Sequence, residues 1–197
     1  MLTCSACTPK TFSSKLFSQP IPLEELIRRS EHVLIGRAVS LELGVRPVRV
    51  QDQERLRPML LTSFTGTKII FFKDHMETSV ERVVVSQLQE SALNAELGET
   101  VLWFMDSSTS SDLIVGQQAG YFRVLGDRNQ NERQYVVNLL GNRGLWKEKL
   151  WTKELSWEKV GRHVPAAYRE EVYRIGSMPH SGGQLPIELL IAVIKAS

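Results

Sequence analysis

The chain has 197 residues, of which 42% are hydrophobic and 23% are charged. This composition is ordinary for a folded domain and excludes a disordered chain. The 24 basic and 22 acidic residues leave a formal net charge of +2, which is too balanced for nucleic acid to be the main partner.

The first feature along the chain is a pair of cysteines, Cys4 and Cys7, and no other cysteine is present. A structural zinc site needs four ligands, and a redox pair with this spacing opens a helix in a βαβ unit. Neither context is found here, because the polar stretch TPKTFSS follows. The pair therefore predicts a disulfide or an anchoring feature in an oxidising compartment, and two free thiols in a floppy tail are the alternative. We predict no metal site and no cofactor.

The next segments predict one short helix and then a strand. The stretch PLEELIRRSE (22–31) has acidic residues early, basic residues late and an apolar stripe of Leu23, Leu26 and Ile27. Residues 32–43 are rich in β-branched side chains, and period-two spacing predicts one apolar face that Arg37 interrupts. This face comprises Val33, Ile35, Val39, Leu41 and Leu43. Gly36 within this run predicts a bend or bulge.

The middle of the chain predicts further strands. The basic stretch RPVRVQDQERLRP (46–58) is interpreted as a solvated loop, with a phosphate-binding patch as the alternative. Residues 67–73 and 81–89 predict two strands joined by a hairpin connection, and the apolar middle of 99–106 predicts a central strand covered on both faces. Residues 112–127 predict two short strands with a bend near Gly120, and 133–142 predicts one more.

These segments give about seven short strands, with no helix long enough for a βαβ crossover. They predict a mainly β fold, an antiparallel OB-like barrel with a short N-terminal helix and C-terminal helices. We divide the chain into an N-terminal Cys-containing segment with the short helix (1–31), a barrel core (32–142) and a helical extension packed on the barrel (143–197).

The C-terminal extension predicts helical structure over 146–165 and 166–176, and a terminal helix over 185–196 that docks in a groove. Its aromatic residues predict a partner-binding patch, because Trp and Tyr are enriched where interfaces carry their energy. The patch comprises Trp146, Trp151, Trp157, Tyr168 and Tyr173. Trp146 follows the turn-rich GNRGL and is predicted to be the most exposed ring; Trp151 and Leu155 are predicted to share a helical stripe that leaves out Trp157. Packing of these rings between extension and barrel is the alternative.

Catalytic signatures are missing from the sequence. It contains no G-x-S-x-G elbow, phosphate loop, G-x-G-x-x-G or H-E-x-x-H motif. The four histidines, at positions 32, 75, 163 and 180, are scattered rather than placed at ligand spacing. We therefore predict no catalytic residue.

Two stretches carry a resemblance. The cysteine-containing start, the short helix and VLIGRAVSLE (33–42) resemble the opening of bacterial domains similar to tissue inhibitors of metalloproteinases, which have a netrin-like, OB-type barrel. The later series ERVVVSQLQES, LGETVLWFMD, LIVGQQAGYFRVLGD and YVVNLLGN resembles uncharacterised bacterial exported β-proteins that also carry a terminal helix. In the eukaryotic inhibitors an N-terminal cysteine chelates the target's zinc. Only Cys4 corresponds, after processing that exposes it, and the spacing here is C-x-x-C rather than C-x-C.

The resemblance implies a noncatalytic, exported bacterial module that binds another protein of unknown identity. One alternative is a metalloprotease inhibitor acting through a processed Cys4, and another is an enzyme whose site assembles from separated residues. The expected location is periplasmic or extracellular, with the cytoplasm as the alternative. Residues 1–20 lack the apolar core of a signal peptide, and no run approaches a membrane span. A leader upstream would make a lipid anchor at Cys4 or Cys7 the expectation.

Overall fold

The computed structural model describes residues 20–50, 53–71, 77–89, 93, 95–106, 113–114, 117–126 and 133–197. Its strands are β1 (His32–Val50), β2 (Gln53–Phe71), β3 (Glu77–Leu88), β4 (Thr100–Asp106), β5 (Leu113–Ile114), β6 (Tyr121–Leu125), β7 (Tyr135–Asn138) and β8 (Leu185–Pro186). Its α-helices are α1 (Leu23–Arg29), α2 (Trp157–Val160), α3 (Arg169–Gly176) and α4 (Ile187–Ala196). Short 3-10 helices cover Gln117–Ala119, Gly161–His163 and Ala166–Tyr168.

All strands belong to one antiparallel sheet. Its order is β3-β2-β1-β4-β6-β7-β8, and β5 pairs with β4. The predicted mainly β, antiparallel architecture is confirmed. Within the described residues the sheet is open, because the edge strands β3 and β8 do not pair with each other. β8 contributes only two residues before α4 begins at Ile187, which leaves little edge for closure.

β4 is the central strand that its sequence predicted. Its five middle residues are all buried. Leu102 and Phe104 belong to a core cluster shared with the helices, whereas Trp103 belongs to a second cluster on the opposite face. In that second cluster the ring of Phe64 meets Trp103 edge-on at 4.8 Å. An apolar run without alternation is what a strand buried on both faces requires.

Gly36 marks the predicted bulge. The pairing of β1 with β2 shifts register between Ile35 and Arg37, and a Cβ on Gly36 would lie 2.9 Å from the Thr67 Oγ1. A second shift, between Ala38 and Ser40, leaves Val39 exposed. The single apolar face predicted for residues 33–43 is therefore wrong, since the extra β1 residue at the second shift interrupts the period-two alternation.

The described residues of the basic stretch 46–58 lie in the paired strands β1 and β2, so the predicted loop is wrong for 46–50 and 53–58. β1 and β2 pair in unbroken register from Leu41 opposite Thr62 to Val50 opposite Gln53. β4 pairs with β1 only along residues 32–37, and β3 pairs with β2 only as far as Met59. Residues 45–50 and 53–58 therefore form a two-stranded ribbon past both neighbours, and residues 41–44 lead into it along the edge of β1 that β4 leaves unpaired. We call residues 41–50 and 53–58 the arm.

The C-terminal residues pack on the sheet through α4 and the segment before α2. α4 buries six of its ten residues, so the predicted docking of the terminal helix is confirmed. Leu145, Trp146 and Leu150 lie in the same hydrophobic cluster as the sheet residue Phe122. The helix predicted from residue 146 is wrong up to residue 156, since α2 begins at Trp157. In its place Leu150 donates its N–H to the Gly176 carbonyl, an inter-segment bond of 2.7 Å.

Two asparagines join β7 to the C-terminal segment. Each backbone N–H of Asn138 and Asn142 donates to the side-chain oxygen of the other, at 2.7 and 2.6 Å. The Asn142 amide group donates to the carbonyls of Val136 and Gly183, and that of Asn138 donates to Ala119. Asn142 is fully buried with φ of 60°, a left-handed conformation that Asn tolerates better than most residues.

We predict that Asn142→Asp lowers the free energy of unfolding by at least about 2 kcal/mol, because a carboxylate cannot donate to the two buried carbonyls. Asn142→Gly separates hydrogen bonding from backbone conformation, since Gly adopts positive φ without strain. It should also destabilise the protein in urea unfolding. A glycine variant as stable as the wild type would mean that the side-chain bonds contribute nothing.

Candidate functional site

Cys4 and Cys7, which are predicted to form a disulfide or an anchor, lie outside the described residues.

The aromatic residues predicted to bind a partner separate into three environments. Trp146 is only 6% exposed, and its Nε1 donates to the Met178 carbonyl at 2.8 Å. The expectation that Trp146 is the most exposed ring is therefore wrong, because the GNRGL turn directs it into the core.

Tyr168 has an intramolecular partner. The Arg133 guanidinium lies 4.5 Å from the centre of its ring and forms an ion pair with Glu171 on α3. A cation over an aromatic face is stabilising. Arg133 precedes β7, so this contact ties α3 to the sheet.

Trp151, Trp157 and Tyr173 form a half-exposed aromatic trio. The Trp151 and Trp157 ring centres are 5.2 Å apart, as are those of Trp157 and Tyr173. The predicted separation of Trp157 from Trp151 is therefore wrong, since residues 151–155 are not helical. Tyr173 is 48% exposed, the most open of the three.

Two glycines explain how the trio is seated. A Cβ on Gly176 would lie 2.2 Å from Cζ2 of Trp151, and one on Gly161 would lie 3.0 Å from Cε2 of Trp157. Both indoles thus rest against bare backbone, where any larger residue would displace them. The Trp151 Nε1 also donates to the Tyr173 carbonyl at 3.1 Å. The trio is part of the packing of the C-terminal segment as well as part of its surface.

The arm presents an unpartnered apolar face. Residues directly opposite each other on paired strands point to the same side. Leu43 lies opposite Leu60, Val45 opposite Pro58, and Pro47 opposite Leu56. Leu43, Val45 and Leu56 are 71%, 63% and 73% exposed. A side-by-side set of exposed apolar residues is the usual mark of a binding surface.

The other face of the arm is basic. Arg46 lies directly opposite Arg57, and Arg55 is two residues along the same strand face. Like charges opposite each other destabilise a ribbon. Among the described residues none of these arginines forms an ion pair with a carboxylate; Arg55 donates to the Gln53 side chain at 3.2 Å. The arm therefore carries excess positive charge on the side away from its apolar face.

A cleft of about 720 Å³ opens between the sheet and α4. Ile35, Ile70 and Val124 contribute apolar surface from the sheet, and Ile187 and Ile191 contribute it from α4. Its charged lining is Arg37, Lys68, Arg123 and Lys195, with the acidic Glu77 and Glu99.

Both carboxylates of the cleft are engaged by cations. Lys195 and Lys68 share Glu77, at 2.6 and 3.2 Å, and the hydrogen bond from Lys195, then that from Lys68, lowers the pKa of Glu77. Glu99 forms an ion pair with Arg123 at 2.8 Å and accepts from the Tyr121 hydroxyl at 2.8 Å. Burial, followed by that hydrogen bond, raises the pKa of Tyr121, so the phenol stays protonated and donates.

The sequence contains a clear signal for the arm and only one partial signal for the cleft. Arg55 and Arg57 alternate with Leu56 and Pro58, which is the period of a two-faced strand. The cleft draws on residues from several strands and from α4, whose distances along the chain give no pattern. Only the four-residue spacing of Ile187, Ile191 and Lys195 indicates a shared helix face.

No group of three or more His, Cys, Asp or Glu side chains that could hold a metal ion occurs in the described residues. In the same residues no helix has the length and apolar character to cross a bilayer. Comparison of the chain with protein-family models, with curated proteins and with solved structures gives no match.

His180 makes the packing around Trp146 sensitive to pH. The two rings stack at 4.5 Å, and burial lowers the pKa of His180 from its ordinary value of 6.5. The unfolded chain therefore binds a proton more readily than the folded one, and stability should fall as the pH drops below about 6.5. We expect the melting temperature of His180→Gln to decrease less than that of the wild type when the pH is lowered from 7.5 to 5.

The control for this comparison is His163→Gln, since His163 is exposed. It should follow the wild type across the same pH range. Identical pH dependence in all three proteins would show that His180 protonation does not affect folding.

Proposed function

We propose that this chain is a noncatalytic module that binds another protein through the apolar face of the arm. The observation that carries the proposal is the exposure of Leu43, Val45 and Leu56 side by side on one face of the ribbon. A two-stranded ribbon is marginally stable without a third strand or a layer packed on its apolar face. A partner that covers this face supplies the missing layer.

The basic face of the arm narrows the chemistry of the partner. Arg46, Arg55 and Arg57 cost stability by mutual repulsion and regain it beside carboxylates. We infer a partner surface with an apolar groove flanked by acidic residues. The groove covers the apolar face of the arm, and the acidic residues reach the arginines of the basic face. Nucleic acid would neutralise the arginines but leave Leu43 and Leu56 exposed, and the net charge of +2 gives it little general attraction.

The inhibitor and enzyme functions have less support than protein binding through the arm. An inhibitor acting through Cys4 depends on residues outside those described, and the cleft, which would be the place for an enzyme site, has both carboxylates in ion pairs. Export to the periplasm or the exterior likewise remains a prediction. The aromatic trio is the alternative to the arm as a partner surface, because Tyr173 is exposed beside two indoles.

Paired variants distinguish the two surfaces. We expect the double variant Leu43→Ser/Leu56→Ser to fold normally, since substitutions at exposed positions usually change stability by no more than about 0.5 kcal/mol. It should weaken binding of the native partner at least about tenfold, because buried anchors at an interface contribute most of its affinity. Tagged protein expressed in the native host, cross-linked before lysis and quantified by mass spectrometry, identifies the partner. Titration of the purified partner then gives the loss in affinity.

Two variants complete the design. Leu139→Ser removes an apolar side chain of comparable chemistry that is 43% exposed outside the arm, and it should leave binding unchanged. Trp157→Ala tests the aromatic trio, and on our proposal the partner is retained. Loss of the partner with Trp157→Ala in a stably folded protein, but not with the arm variant, would move the interface to the trio. Retention by all three variants would remove the proposal.

A further inference from the structure

The cleft between α4 and the sheet has the size and lining of a small-molecule site. Its volume of about 720 Å³ falls within the range of roughly 300–1,000 Å³ that ligand pockets occupy. It lies beside the helix-covered face of the sheet rather than on the arm. The ligand of the cleft is therefore a different molecule from the protein partner proposed for the arm.

Apolar side chains line the cleft from both the helix and the sheet. Ile187, Ile191 and Lys195 recur every four residues along α4, so one stripe of the helix forms the wall. Ile35 and Ile70 stand on the opposite side, on adjacent strands that pair in antiparallel register. Ile35 and Ile191 are only partly buried in the protein itself. A hydrocarbon body placed here would complete their burial and gain free energy in proportion to the apolar area covered.

The charges around this apolar surface favour an anion. Four cationic side chains face two carboxylates in the lining. At one end Lys68 and Lys195 share the single carboxylate of Glu77. At the other end the Arg37 Nε donates to the Gly98 carbonyl at 3.0 Å, and Arg37 forms no ion pair within the described residues.

Arg37 is suited to receive a carboxylate. The bond to Gly98 fixes the guanidinium through Nε and leaves both terminal amino groups for a ligand. A guanidinium fork matches the two oxygens of a carboxylate, and charge-assisted bonds of this kind are roughly twice as strong as neutral ones. The neighbouring Arg123 is already paired with Glu99. It therefore adds positive electrostatic potential to the cleft, but its guanidinium is less available to bind a ligand directly.

We propose that this cleft binds a small organic anion with an apolar body, its carboxylate on Arg37 and its hydrocarbon chain between the isoleucines of the sheet and those of α4. The ligand class is an amphipathic carboxylic acid. Acetate supplies the charge without the body, and an alkylamine of the same length supplies the body with the opposite charge.

The test uses octanoate as the probe, titrated into the whole purified chain by calorimetry. We expect saturable binding of one octanoate per chain, with acetate and octylamine at least about tenfold weaker. Arg37→Gln should weaken octanoate binding at least about tenfold, in keeping with the loss of a charged hydrogen bond. Ile191→Trp should abolish binding by filling the cleft. Since that variant changes packing, circular dichroism checks its fold, and Arg37→Gln carries the result if the tryptophan variant does not fold.

The matched control is Arg28→Gln, which removes an exposed arginine on α1, away from the cleft. It should bind octanoate as the wild type does. Equal binding of octanoate by wild type and Arg37→Gln would overturn the proposal. Equal affinity for octylamine, or uptake that never saturates, would do so too, since each would show that the cleft does not select an anion with an apolar body.

Discussion

The main constraint on this protein is a mismatch in strand length. β1 and β2 each have 19 residues, whereas β4 pairs with only the first six residues of β1 and β3 stops pairing at Met59 of β2. In residues 45–50 and 53–58 each strand pairs only with the other, and the exposed side chains of Val45 and Leu56 have no layer to pack against. The arm exists because the hydrogen-bond ladder continues after the core has ended. Its two faces, one apolar and one basic, are consequently both available to a partner.

A second constraint places the helix that forms the cleft. The reciprocal bonds of Asn138 and Asn142 close the turn after β7, and the Asn142 amide also donates to the carbonyl of Gly183, two residues before β8. The Ile187 N–H then donates to the Gln134 carbonyl, so α4 starts at a fixed position beside β7. Lys195 at the far end meets Glu77 on β3. The helix thus crosses the sheet with both ends held, and the space left beside it is the cleft.

Local patterns predicted those parts of the fold that depend on neighbours in sequence. The α1 stripe, the apolar run of β4, the bulge at Gly36 and the burial of α4 each follow from one short segment. The density of arginines in 46–58 favours a solvated loop, whereas the strand signal is the alternation of Arg55 and Arg57 with Leu56 and Pro58. Trp146 was misjudged because its burial depends on Met178 and His180, more than thirty residues away. The cleft and the aromatic trio each bring together residues that are distant in sequence. The sequence therefore does not predict which of these residues lie next to one another.

The central claim is that one particular face of the arm meets a protein partner, and site-specific photo-crosslinking in the native host tests it most directly. A photoreactive phenylalanine at position 56 lies on the apolar face, and the same group at position 46 lies on the opposite face of the same ribbon. The account predicts one discrete protein adduct in high yield from position 56, reproduced from position 43. The basic face interacts with the flanks of the groove through longer-range electrostatic contacts, and few partner atoms lie close to position 46. The same adduct should therefore form from position 46 in much lower yield. Equal adduct yields from positions 46 and 56, or no adduct from position 56, would contradict it.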